Sequence, residues 1–149
     1  MKLAEALSIR ADLQRKVSQL KGRLKDSAKV QEGDKPAENT DDLFKELDSC
    51  LVKMEDLIYR INFTNIRTVH NGETLTQMIA RKDVLNLRLS VMRDVMKNTL
   101  ETDRYGRNEI KYVRTVDVTE LHKRIDTYAK QLRELDLKSQ KLNWTTDLQ

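Results

Sequence analysis

One apolar stripe with coiled-coil spacing recurs in four long segments of this chain. In the first segment a cation at Arg10 interrupts the stripe, whose apolar members are Leu3, Ala6, Leu13, Val17, Leu20 and Leu24. In the last segment the stripe contains Val118, Leu121, Ile125, Tyr128, Leu132 and Leu135. Residues at this spacing share one face of a helix, and that face is buried when a second helix packs lengthwise against it. The sequence therefore predicts an all-α fold, a bundle of about four long antiparallel helices.

The composition agrees with long solvated helices. Charged residues make up 35% of the 149 residues, aromatic residues make up 5%, and the chain has one proline and four glycines. A chain of this length suits one domain, which we expect over residues 1–149. The formal net charge is only +4. So small a surplus does not by itself indicate a nucleic-acid-binding protein.

Breaks between the stripes predict the ends of the first two helices. The first helix is expected over about residues 2–28, before a loop that holds the single proline. Thr40 is followed by two acidic residues and is predicted to cap the second helix. That helix is expected to fray between Asn62 and Asn65.

A third helix is predicted from Leu75 to about Leu100, because Thr74 and Gln77 have the spacing of a capping box. Its predicted seam contains Leu75, Met78, Leu85, Leu89, Met92 and Met96. Lys82 falls on the same seam.

Two short segments have the features of a minor β element. Residues 67–70 precede Asn71-Gly72, a dipeptide typical of tight hairpin turns. Residues 110–116 alternate with a period of two, which predicts a short strand. The two segments are candidates to pair with each other, either within one chain or between subunits.

The sequence contains no recognisable catalytic or metal-binding pattern. His70 and His122 have no metal-ligand spacing, and no glycine-rich phosphate loop is present. We therefore expect no catalytic residues, no metal, no cofactor and no enzymatic activity. A single cysteine, Cys50, and the absence of a signal peptide or a long apolar run make a cytoplasmic location without membrane association the expectation.

Two cations fall on seam positions, where a helix normally places an apolar residue. A buried charge needs a partner, so Arg10 is predicted to pair with an acid on an adjacent helix. The register leaves Asp56, Asp94 and Asp136 as alternatives. Both Arg10 and Lys82 are also consistent with cations that fix the register or reach solvent at the edge of the bundle.

A basic segment with interleaved aromatic residues precedes the fourth helix. Its members are Arg104, Tyr105, Arg107, Lys111, Tyr112 and Arg114, and residues 104–115 carry a net charge of +3 once Glu109 is counted. Together with Arg67 and Arg81, this segment is a candidate binding site for RNA or a phosphorylated ligand. The alternative is a subunit contact or an ordinary charged loop.

Several helices carry apolar residues away from their seams, which favours a homo-oligomer. On the third helix these residues are Leu87, Val91 and Val95. The single tryptophan, Trp144, is expected to anchor the end of the chain, either on this subunit or on a neighbour. The protein itself is therefore the first expected partner.

The chain resembles the septicolysin-like family of small bacterial helical proteins. The resemblance covers essentially the whole chain and is carried by KLAEALSIRADLQRKVSQLKGRL, VQEGDKPAE, INFTNIRT, ARKDVLNLRLSVMRD, RYGRNEIKYVRTVDV and LNWTTDL. It implies a helical fold, a bacterial source and no established biochemical activity. The INFTNIRT segment contains Asn62 and Asn65, which we include as candidate ligand or interface residues. Phe63 occupies a position that is polar or basic in the family pattern.

Overall fold

In the computed structural model the chain forms four helices and one two-stranded sheet, and the structure describes residues 1–101, 106 and 110–149. The elements are α1 (Leu3–Ser27), α2 (Thr40–Arg67), β1 (Val69–His70), β2 (Glu73–Thr74), α3 (Leu75–Leu100) and α4 (Val118–Thr145). The predicted all-α fold with a minor β element is confirmed. The chain divides into two compact units, one formed by Met1–Thr74 with Lys141–Gln149 and the other by Leu75–Gln140.

In the first unit, α1 and α2 pack through the predicted seam. Leu20 and Leu24 of α1 join Leu43 and Cys50 of α2 in a buried cluster. The Cys50 thiol is free and buried, so it fills space in the core.

Ion pairs lie along the edge of the α1–α2 seam. Lys16 Nζ lies 2.8 Å from Glu46 Oε1, and Arg23 Nε donates to Glu38 Oε2 at 2.9 Å. The hydrogen bond from Lys16 lowers the pKa of Glu46, and that from Arg23 lowers the pKa of Glu38. Since all four side chains are at least a third exposed, these pairs contribute little to the free energy of unfolding.

Both ends of α2 differ by a few residues from the prediction. Asn39, rather than Thr40, is the N-cap, and its Oδ1 accepts hydrogen bonds from the backbone N–H groups of Asp41 and Asp42. The C-terminal end does not fray near Asn62, because Ile61 and Thr64 are buried and hold the last turns in place; the helix continues to Arg67.

The β element is a local hairpin in which Val69 pairs with Thr74 and His70 pairs with Glu73. The two turn residues both have positive φ, 53° at Asn71 and 79° at Gly72, as a two-residue hairpin turn requires. The predicted strand at 110–116 is wrong, since none of these residues lies in a strand. The chain reverses at Asn71-Gly72, so β1 pairs with β2, which follows directly, and not with residues 110–116.

Backbone hydrogen bonds tie residues 1–3 to residues 146–149 within the first unit. The Leu3 N–H donates to the Thr146 carbonyl and the Leu148 N–H donates to the Met1 carbonyl, both at 2.9 Å. The Gln149 N–H donates to Oγ1 of Thr64 at 3.0 Å. Trp144 lies in the last turn of α4 and is 66% exposed. Backbone hydrogen bonds, and not a buried Trp144 ring, therefore hold residues 146–149 within this chain, and the alternative that Trp144 packs on a neighbour stays a prediction.

In the second unit, α3 and α4 bury their seams in one cluster formed by Leu89, Met92, Met96, Leu121 and Ile125. The seam cation Lys82 pairs with Asp136, which also accepts a hydrogen bond from Gln140 at 2.8 Å. The hydrogen bond from Lys82, followed by its charge, lowers the pKa of Asp136. Arg88 donates to Tyr128 Oη at 2.9 Å and lies 4.7 Å from the centre of its ring.

Candidate functional site

Helix α3 is apolar on two roughly opposite sides. Its predicted seam is buried in full: Leu75, Met78, Leu85, Leu89, Met92 and Met96. The other side carries a second stripe, which we call the outer stripe: Ala80, Val84, Leu87, Val91 and Val95. Four of these side chains are 57%, 65%, 55% and 41% exposed, in the order Val84, Leu87, Val91, Val95. Residues three, seven and eleven positions apart return to the same face of a helix, so the outer stripe is continuous.

Charges of opposite sign flank the outer stripe. At 3.6 residues per turn, Asp83 and Asp94 lie along one flank, and Arg81 and Arg88 lie along the other. All four residues are exposed. An exposed apolar patch with a charged rim is typical of a protein–protein interaction site.

Two aromatic residues near the end of α2, Tyr59 and Phe63, differ from the outer stripe, because neighbours on the same helix cover them in part. The rings of Tyr59 and Phe63 are stacked with their centroids 6.0 Å apart. The guanidinium of Arg67 lies 4.6 Å from the centre of the Phe63 ring. Among the described residues, no aromatic ring or guanidinium stacks on the outer stripe, and we take α3 as the candidate interaction surface; Phe44, Val52 and Ile66 of α2 are also exposed.

Arg10 does not have the predicted partner. It is half-buried and forms no ion pair or hydrogen bond with any residue that the structure describes. Asp136, one of its three candidate partners, pairs with Lys82 instead. The long stem of an arginine can cover apolar surface while its charged end stays in water, so no buried carboxylate is required.

The candidates at the end of α2 lie close together in sequence but form no shared pocket among the described residues. Asn62 is exposed, Asn65 is half-buried, and Arg67 stacks on Phe63. Arg81 lies in the other unit, where it lines an open groove of about 280 Å³ between α3 and α4. The groove also contains both signs of charge, from Glu134 and Lys138. It therefore has no clear preference for an anion.

Only part of the basic segment can be placed. Arg104 and Tyr105 lie outside the described residues. Lys111 is exposed, and Arg114 is exposed but donates from Nε to the Thr99 carbonyl at 3.0 Å. Thr99 is in the last turn of α3, where carbonyl groups lack a partner within the helix. Arg114 thus caps α3, a role that the sequence alone did not indicate.

Within the described part of the chain, no three His, Cys, Asp or Glu side chains come together as a metal site requires. None of the described helices combines the length and the apolar character needed to cross a bilayer. His70 is half-buried on β1, and His122 is exposed on α4.

Only part of the outer stripe was predicted from the sequence. Leu87, Val91 and Val95 were expected as off-seam residues, but Val84 and the charged flanks were not. The overlooked signal is a second heptad on the same helix, with valine and leucine at alternate seam positions.

Comparisons with known proteins identify related chains. The profile of a family described as a family of unknown function (DUF6847) matches residues 10–148. A crystal structure of a functionally unknown conserved protein from Corynebacterium diphtheriae superposes with a TM-score of 0.93 at 44% sequence identity, covering 100% of this chain and 99% of that one. No curated protein matches. Neither match carries the septicolysin-like name.

Proposed function

The chain belongs to the DUF6847 family of unknown function, and we propose that it acts as a non-enzymatic homo-oligomer in which another copy covers the outer stripe of α3. The proposal includes no catalysis, because the surface on which the proposal rests, the outer stripe, is apolar. A free and buried Cys50 is compatible with the reducing cytoplasm, where we propose that the assembly works.

The observation that carries the proposal is the exposure of the outer stripe. Four large aliphatic side chains on one face of one helix are each more than 40% exposed. Fully burying a side chain of this kind contributes about 1.5–3 kcal/mol. A second copy offers the same stripe, and a self-complementary contact of this kind is the commonest basis of soluble oligomers.

Light scattering at micromolar concentration tests the proposal. The expected mass is a multiple of 17.5 kDa for the unchanged chain. Leu87→Glu should reduce the mass to that of one chain, because it places a charge in the centre of the outer stripe. Leu137→Glu is the matched control, since Leu137 of α4 is 67% exposed against 65% for Leu87 but lies outside the stripe. A monomeric unchanged chain contradicts the proposal.

The basic segment 104–114 supports a second candidate, the binding of RNA or a phosphorylated ligand. Lys111 and Tyr112 are exposed, as a charge-and-stacking site requires. Retention on a phosphate matrix that falls steeply with salt, and that weakens in Lys111→Ala, supports this candidate. Salt-independent flow-through contradicts it.

A further inference from the structure

We infer that a second groove between α3 and α4, which we call the Lys82 groove, binds a small aliphatic carboxylate. The groove is lined by Lys82, Asn86, Leu132, Arg133 and Asp136, all within the second unit. Its volume is about 310 Å³. That volume is at the lower end of the range for ligand pockets, so it suits a small molecule. The outer stripe contains none of these residues, so ligand binding does not depend on the proposed oligomer.

The ion pair of Lys82 with Asp136 fixes the position of the acidic group in the groove. Oδ1 of Asp136 accepts a hydrogen bond from Lys82, and Oδ2 accepts one from Gln140 Nε2 at 2.8 Å. Both carboxylate oxygens are therefore engaged, and the charges of Lys82 and Asp136 offset each other. An ammonium group has three N–H donors, so Lys82 keeps donors for a ligand.

Arg133 gives the groove its net positive charge. The side chains of Arg133 and Asn86 are exposed, and neither has an ion pair or a hydrogen bond with any residue that the structure describes. A guanidinium can bind a carboxylate through two parallel hydrogen bonds. The amide of Asn86, one helical turn from Lys82 on α3, adds two more N–H donors. One uncompensated cation and three donor groups therefore line one groove.

The charge and the apolar surface of the groove favour an aliphatic monocarboxylate over a phosphate. One uncompensated cation matches one negative charge. A phosphate monoester carries about −1.5 to −2 at pH 7, so the carboxylate of Asp136 repels it more strongly. Leu132 is half-buried and adds apolar surface to the groove. A short aliphatic chain against Leu132 is removed from water, which favours binding.

Titration of the full chain with sodium butyrate at constant ionic strength tests the site. NMR spectra should show saturable shifts of the Asn86 side-chain amide and of the Arg133 Nε–H group. Arg133→Gln should weaken binding about tenfold or more, because it removes hydrogen bonds between charged groups. Arg133 is exposed, so the substitution should leave the fold intact.

Arg124→Gln is the matched control, because Arg124 is an exposed arginine of the same helix outside the groove. It lies about 14 Å along α4 from Arg133, beyond the screening length of about 10 Å in 0.1 M salt. Binding should therefore change by less than about twofold in this variant. Shifts that do not saturate, or an equal weakening in both variants, indicate general attraction to a basic surface and overturn the inference.

A comparison of anions tests the class of ligand. Butyrate should bind more tightly than acetate, because its longer chain can contact Leu132. It should also bind more tightly than inorganic phosphate, because phosphate carries more charge towards Asp136. Tighter binding of acetate or of phosphate overturns the assignment of an aliphatic carboxylate. None of these results alters the mass of the protein in solution, which tests the proposed oligomer separately.

Discussion

Helices α1 and α3 both bury an apolar seam against the helix that follows them, but their opposite sides differ. Opposite its seam, α1 presents exposed Asp12, Arg15, Gln19 and Asp26. Opposite its seam, α3 presents the outer stripe. Helix α2 therefore covers the one apolar face of amphipathic α1, while α4 covers only one of the two apolar faces of α3. An apolar pattern therefore predicts that a helix face is buried, but it does not say whether the covering helix belongs to the same chain or to another copy.

The cores of the two units should respond alike to truncation. Leu20 is fully buried in the first unit, and Leu89 is 1% exposed in the second. We expect Leu20→Ala and Leu89→Ala each to lower the free energy of unfolding by about 2–5 kcal/mol, because each leaves a cavity. Denaturant unfolding measures both values. A loss under about 1 kcal/mol for Leu89→Ala alone contradicts the packing of α3 on α4.

Leu87 should respond differently, because in one chain its side chain is 65% exposed. We expect Leu87→Ala to lower the melting temperature only at protein concentrations above the dissociation constant of the proposed oligomer, since association stabilises the folded state by mass action. The effect, about 1–3 kcal/mol per chain at saturation, should disappear on dilution. Melting curves over a hundredfold concentration range measure it. An equal loss at every concentration indicates burial within the chain instead.

The stability of the start of α2 should depend on its N-cap residue, Asn39. Asn39→Ala removes the acceptor for the backbone N–H groups of Asp41 and Asp42 and should cost about 1 kcal/mol. Asn62→Ala is the control, because Asn62 is exposed within the same helix, and its effect should lie within about 0.5 kcal/mol of zero. If the two variants are equally stable, Asn39 is not the cap.

The smallest expected effect is the acid sensitivity of the Lys82–Asp136 pair. The pKa of Asp136 is lower in the folded chain than in the unfolded one, chiefly through its hydrogen bond with Lys82. Its contribution is therefore present above the unfolded pKa and is lost as the pH falls through the folded pKa. Both side chains are more than a third exposed, so we expect less than about 1 kcal/mol.

Asp136→Asn should flatten the pH dependence of the free energy of unfolding in the acid range, relative to the unchanged chain. Glu134→Gln is the control: Glu134 lies on the same helix and contacts Lys130 only at 3.9 Å. An identical acid slope in the unchanged chain and Asp136→Asn contradicts the assignment.

The helices could be predicted from the sequence because capping residues and apolar periodicity are local features. The start of α3 at Leu75 and all six residues of its buried seam follow from turn chemistry and period alone. The failures occurred where the outcome depends on which partner is available. Residues 110–116 have the alternation of a strand but pair with no strand, and Asn71-Gly72 gives β1 a nearer partner. Arg10 fell on a seam, but its long stem lets the charge avoid burial.

The backbone pairing of residues 1–3 with residues 146–149 affects how the chain folds and opens. Lys2 reaches the carbonyl of Thr145 across 143 positions of sequence, so this contact is highly non-local. A contact of that kind closes a long loop at a large entropic cost, so we expect it to form after the local hairpins. Loss of these few hydrogen bonds should release the start of α1 and residues 146–149 together. In hydrogen exchange, the amides of Leu3 and Leu148 should therefore open as one unit, ahead of the seam amides of α1 and α2.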